Sequence, residues 1–224
     1  FEVNKVIDTF LHRVMDIEDC AKEYISAAAK GYNENAEKLR SNVEKHQKAL
    51  EDEKDETIRV LTVKELRKTL REIERHNSSS PVTTLEKSLF ISLFSVFDKF
   101  IGDLVAVLYS KKPDLYKNIN KEITLSEALN YDSMDELRQV FLDKEIETIR
   151  RKGYIDQFKD LETKFSIKLT KFEEWPYFIE RSQRRNLFTH CDGVVSKQYL
   201  DICQEVGCKI KEGRDVGDQL EIGA

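Results

Sequence analysis

Proline and glycine are scarce: 3 prolines and 8 glycines in 224 residues, with long stretches that hold neither. A β-sandwich or barrel needs turn residues at short intervals, so the scarcity argues against one and favours helices. No apolar run approaches the ~20 residues of a membrane-spanning helix, and no signal peptide is visible. The expectation is a cytoplasmic protein that does not enter membranes. Positive charge is not in excess either. Lys and Arg total 37 against 42 Asp and Glu, a net charge of −5, which excludes a polybasic nucleic-acid binder. Any RNA contact has to come from a local patch. The 4 cysteines, Cys20, Cys191, Cys203 and Cys208, show no CxxC spacing and read as reduced cytosolic thiols. The chain opens on Phe1 rather than Met and stops abruptly at Ala224, as expected of a fragment of a longer protein.

What the chain does have is helical periodicity. Val3, Val6, Ile7, Phe10, Leu11, Val14 and Met15 recur at helical spacing, and Gly31-Tyr32-Asn33 predicts a break. Ala36, Leu39, Val43, His46 and Leu50 then form a short coiled-coil-like seam. It fades into the mixed-charge run Glu51–Glu56, which reads as a solvated helix face or a hinge. Ile58, Leu61, Leu66, Leu70 and Ile73 resume the pattern, so residues 1–76 read as a helical arm that packs back or projects towards a partner. His76-Asn77-Ser78-Ser79-Ser80-Pro81 is the clearest linker.

The most apolar helix follows, over roughly 83–110, with more than half its circumference apolar, so it belongs at the centre of a bundle. Asp98 interrupts that surface. It lies either at the solvent edge or across the bundle near the arginines described below. Capping boxes at Thr124–Glu127, Ser133–Glu136 and Thr170–Glu173 predict three helix starts. Gly153 divides the second from a helix running to about Phe165. Pro176 implies either a kink or a regular helix that starts there. A last helix runs from Ser196 to about Val206 and ends at Gly207, and Leu220 and Ile222 hint at a strand or a further module.

The functional signal lies in Arg181-Ser182-Gln183-Arg184-Arg185-Asn186-Leu187-Phe188-Thr189-His190, followed by Cys191-Asp192-Gly193. Arg185 and His190 diverge by about 140° on a regular helix. Asn186 and His190 are four apart and share a face. The Asp192-Gly193 turn puts His190 in the last helical turn, where unwinding is expected to bring it back towards the arginine. Arginine is a permanently charged planar donor suited to phosphate, and histidine moves protons near neutrality. The plainer reading is a helix C-terminus stabilised by cations, worth about 0.3–1 kcal/mol. Zinc is disfavoured, because His190, Cys191, Asp192, Cys203 and Cys208 fit no familiar ligand spacing. Cys191 and Cys203 read as small buried hydrophobes, and Tyr177 and Phe188 as core aromatics able alternatively to stack on bases.

Read as Arg185-Asn186-Leu187-Phe188-Thr189-His190, the motif resembles that of the HEPN family, and the likeness spans roughly Pro81 to Gly207. The resemblance implies an all-α fold, a HEPN-like up-and-down helical bundle over 82–209, with the long helical arm before it and a tail at 210–224. It implies a metal-independent endoribonuclease of a defence or toxin-like system, with no cofactor. In that reading Arg185 and His190 are the catalytic pair and Asn186 supports them. Arg181 and Arg184 read as residues that position the RNA phosphates, or as solvated ones, rather than as chemical participants. The implied partners are an RNA substrate, a second copy in a homodimer, and an antitoxin or defence-system protein. Some members of the family are non-catalytic, so the alternative is a helical module for protein assembly or nucleotide binding.

Overall fold

The computed structural model describes residues 2–119, 122–211 and 213–222, and among them the protein is all-α. Eight α-helices follow in order: α1 (Glu2–Asp52), α2 (Glu56–Ser78), α3 (Pro81–Lys111), α4 (Leu125–Ala128), α5 (Met134–Arg150), α6 (Tyr154–Phe165), α7 (Trp175–His190) and α8 (Lys197–Val206). A 3-10 turn covers Pro113–Asn118. Extended pairing is limited, among the described residues, to one antiparallel bridge between Val194 and Gln219. No described helix is long and apolar enough to cross a membrane.

The chain divides into two units, Phe1–Met15 with Phe90–Ala224, and Asp16–Leu89. The division falls inside α1 and α3 rather than at the Ser-rich linker, which is only a two-residue break before Pro81 starts α3. The first turns of α1 belong with the larger unit for a packing reason. Phe10 stacks on Phe100 at 4.5 Å and meets Phe97 edge-on at 6.1 Å.

In the smaller unit the helix break at Gly31 does not occur, and α1 runs unbroken for 51 residues. A mid-helix glycine costs about 1 kcal/mol, and the residue beside it offsets that. Tyr32 stacks on the His76 ring at 3.8 Å, and its hydroxyl donates to the His76 carbonyl at 2.7 Å. His76 Nε2 lies 3.0 Å from the Tyr32 carbonyl, which can only accept, so that nitrogen carries the proton. The mixed-charge run breaks the helix at residues 53–55, between α1 and α2. Asp55 caps α2 by accepting from Thr57 N and Ile58 N, and Arg59 donates to the carbonyls of Leu50 and Glu53.

In the larger unit α3 supplies Phe94, Ile101, Val105 and Tyr109 to the core. Gly102 lets α5 come close, since a Cβ there would lie 3.2 Å from Ile146. Leu142 and Ile149 of α5 and Leu161 of α6 complete one cluster, and Tyr154, Phe158, Trp175 and Ile179 surround Phe94 in a second. Lys164 of α6 pairs with the buried Glu145 of α5 at 2.8 Å.

Thr170 does not cap a helix, contrary to its capping-box pattern. Its hydroxyl and its backbone N–H both donate to Glu162 Oε1, at 2.9 and 2.8 Å, and Leu169 N donates to the same oxygen at 2.6 Å. The hydroxyl is spent there, and α7 starts instead at Trp175 with Pro176 in its first turn. Backbone donation from Thr170 and Leu169 holds the Glu162 carboxyl below its ordinary 4.5. A depressed folded pKa gives stability that is complete above the ordinary value and lost as pH falls through the folded one. Thermal melts of the wild type should therefore drop more steeply below about pH 5 than those of Glu162→Gln. Parallel acid curves for the two proteins would contradict this.

Candidate functional site

Helix α7 carries the motif on three stripes of i, i+4 spacing. Tyr177, Arg181 and Arg185 lie on one, Glu180 and Arg184 on a second, Asn186 and His190 on a third. The three stripes meet different surroundings, and this sorts the arginines.

Arg185 is half-buried against aromatic rings. Its guanidinium carbon lies 5.6 Å from the Phe94 ring centre and 5.8 Å from that of Tyr154. Nη2 reaches the Tyr154 hydroxyl at 3.5 Å, the outer limit of a hydrogen bond, and Nε is buried without a hydrogen-bond partner. Tyr154 in turn donates to Asp98 Oδ1 at 2.6 Å. Asp98 thus sits near the arginine, with Tyr154 between them, and a chain of polar groups links α3, α6 and α7. Burial raises the Tyr154 pKa, and the hydrogen bond and negative charge of Asp98 raise it further, so the phenol stays protonated and remains a donor. Nothing about Tyr154 at the start of α6 marked it in the sequence. Only the fold brings it to Arg185.

His190 is exposed, and α-geometry continues through it. The helix caps at Cys191, whose N–H and that of Gly193 both donate to the Leu187 carbonyl, at 2.8 and 3.0 Å. Unwinding therefore begins one residue after His190, and the side chain is not turned back within its own chain. Arg185 and His190 leave α7 about 140° apart with about 7.5 Å of rise between them. Asn186 is half-buried on the His190 face and makes no side-chain hydrogen bond among the described residues. Gly193 has φ +87°, and a Cβ there would come within 2.8 Å of the Phe188 ring, so glycine is required after the motif.

The two arginines expected to position RNA both donate to the C-terminal segment. Arg184 is buried, ion-paired to Glu180 at 2.8 Å and donating to the Glu221 carbonyl at 2.8 Å. Tyr199 also donates to Glu180, at 2.7 Å. Arg184 is thus turned into the fold, with 6% of its surface exposed. The i, i+4 pair Glu180–Arg184 was the sequence signal for this. Arg181 is half-buried. It donates to the Ile222 carbonyl at 3.1 Å, lies 3.6 Å from Glu180, and covers the Tyr177 ring at 4.8 Å. The segment they hold is not a strand, but it is ordered against the turn after His190. Leu220 is buried, Val195 N donates to the Asp218 carbonyl, and Gln219 Nε2 donates to the Asp192 carbonyl.

Arg184→Ala or Glu180→Ala leaves a buried charge alone, which costs about 3–5 kcal/mol. Urea unfolding should show a midpoint far below the wild type for each, and an unchanged midpoint would remove the structural role.

Cys191 is exposed at the helix cap rather than buried, whereas Cys203 is buried as expected. Burial first, and the neighbouring Cys208, push the Cys203 thiol up to about 12, so it is no nucleophile near neutrality. Among the described residues no three His, Cys, Asp or Glu side chains are grouped to hold a metal ion. Phe188 packs in the core with Val195 and Tyr199, whereas Tyr177 stands out from α7. The chain matches no family model, no curated protein and no solved structure.

Proposed function

We propose that the protein is an endoribonuclease with a HEPN-like helical bundle, cleaving RNA without a metal in a defence or toxin-like system. The observation that carries the reading is the state of Arg185. Its guanidinium is held by two rings and by the Tyr154 hydroxyl of the Asp98–Tyr154 pair, while the side chain is only half-buried. A cation fixed in this way, with part of its side chain still open to solvent, suits a phosphate oxygen. His190, exposed on the same helix, supplies the proton transfer, and Asn186 on its face orients the imidazole. The 2′-hydroxyl attacks the adjacent phosphorus and the bond to the 5′-oxygen breaks. The products are a 2′,3′-cyclic phosphate and a free 5′-hydroxyl.

The divergence of Arg185 and His190 supports a homodimer as the working form. One copy presents the two groups in different directions, and a two-fold axis along this face lets the histidine of one copy serve the arginine of the other. Two motifs in one cleft also concentrate positive charge on a chain of net charge −5. Light scattering should report a dimer at micromolar concentration; a monomer with full activity would refute it. The test of the function itself is RNA cleavage by the wild type beside His190→Ala.

A second reading has one observation in its favour. Arg185 also completes an internal contact with Phe94 and Tyr154, as it would in a non-catalytic module for assembly or nucleotide binding. That reading requires that RNA survive incubation with the wild type.

A further inference from the structure

Beside Arg185 lies a groove of about 490 Å³ that the proposed chemistry does not use. It is lined by α3, with Leu93, Phe94 and Phe97 among its residues, by Tyr177 and Phe178 of α7, and by Phe10 and Val14 of α1. Its volume is in the range of small-ligand sites. Among the described lining residues the single charged side chain is Arg181. The groove and the Arg185 position share a wall, because the Phe94 ring that lines the groove also lies under the Arg185 guanidinium.

Tyr177, Arg181 and Arg185 follow one another along one stripe of α7, each about 6 Å of rise from the next. The stripe therefore reads aromatic platform, cation, cation. Tyr177 is 61% exposed although it is a large aromatic, and Arg181 lies over its ring. Arg181 Nη2 forms no hydrogen bond among the described residues, because Nη1 alone is taken by Ile222. Aromatic and guanidinium planes beside a phosphate-binding cation are how single-stranded nucleic acid is held, and every base offers a π-face to them.

We infer that the groove is a nucleobase subsite, and that it receives an unpaired base of the RNA strand next to the phosphate bound by Arg185. This rests on the ribonuclease reading and names the substrate class more narrowly: single-stranded RNA, held by stacking with little base preference. Duplex RNA, whose bases are stacked on one another, cannot fill the groove.

The test is equilibrium binding of a fully 2′-O-methylated, fluorescent single-stranded oligonucleotide, which cannot be cleaved by 2′-hydroxyl attack. Three proteins are compared: wild type, Tyr177→Ala, and Leu93→Trp, which fills the groove. Tyr177 is exposed, so its replacement leaves folding intact, as circular dichroism will show. Each variant should bind about tenfold more weakly, the effect of one lost stacking contact. A single abasic position in the oligonucleotide should cost the wild type the same factor and Tyr177→Ala nothing further. Both variants binding as tightly as the wild type overturns the subsite, assigns the groove to another occupant, and leaves the cleavage reading standing. A wild type that neither binds this oligonucleotide nor cleaves ordinary RNA overturns both.

Discussion

Arg185→Ala and His190→Ala should each slow RNA cleavage by about a hundredfold to a thousandfold or more, with the helical fold retained. A positioned proton-transfer group is worth about 10²–10⁴ in rate. A pre-placed donor to developing oxyanion charge is worth about 10²–10³. His190 is exposed and its loss disturbs no packing, so its variant is the cleaner of the two. Arg185→Ala also strips a cation from the Phe94 and Tyr154 rings, and Arg185→Lys is the control for this. Lysine keeps the charge but not the planar fork, so cleavage should stay low while stability recovers. The double variant should be no slower than the slower single, because groups that act as a unit are not additive. Cleavage within a few-fold of wild type in both single variants would remove the assignment and leave the assembly-module reading.

Much of the helical layout was legible because it is written locally. Thr124 and Ser196 accept the hydrogen bonds their positions predict, Gly207 closes α8 in the left-handed region, and Gly153 divides α5 from α6. Where local signals failed, a distant partner had claimed the group. The Thr170 hydroxyl is taken by Glu162, so it caps nothing. Gly31 does not break α1, because Tyr32 is locked to His76, 44 positions away. Phe10 draws the start of the arm into the bundle through Phe97 and Phe100, which no spacing rule in residues 1–76 reveals.

The candidate site divides in the same way. Arg185, Asn186 and His190 stood out as residue types in a pattern, but their partners did not. Asp98 was visible as an anomaly in an apolar helix, and its place beside the arginine depends on Tyr154, which comes from a third helix. Arg181 and Arg184 look alike in sequence, yet the i, i+4 relation to Glu180 buries Arg184, while Arg181 is left at the rim of the groove. Three arginines in five residues are thus one structural cation, one on the groove and one beside Tyr154.

Cleavage should survive excess EDTA and leave a 2′,3′-cyclic phosphate. Two-metal hydrolysis of a phosphodiester needs several carboxylates converging on the ions that clamp the attacking and leaving oxygens. The motif region offers only Glu180 and Asp192, twelve residues apart in sequence, and Glu180 is already spent on Arg184 and Tyr199. Asp98, the other carboxylate near Arg185, accepts from Tyr154, and the arginine beside that phenol repels a divalent cation while attracting phosphate directly. Without hydroxide made on a metal, the nearest nucleophile is the substrate's own 2′-hydroxyl, already beside the phosphorus. Intramolecular attack of this kind gains about 7–11 kcal/mol from proximity alone. In the proposed mechanism His190 then has only to manage a proton, and Arg185 only to stabilise charge on the non-bridging oxygens. DNA, and RNA with a 2′-methoxy group at the scissile position, should resist completely, since both lack the attacking group. The measurement is mass spectrometry of a short RNA cut in EDTA, where the cyclic product is one water lighter than the 3′-phosphate. A 3′-hydroxyl end, or cleavage that stops in EDTA and returns with magnesium or manganese, would sink this mechanism even if Arg185 and His190 both proved essential.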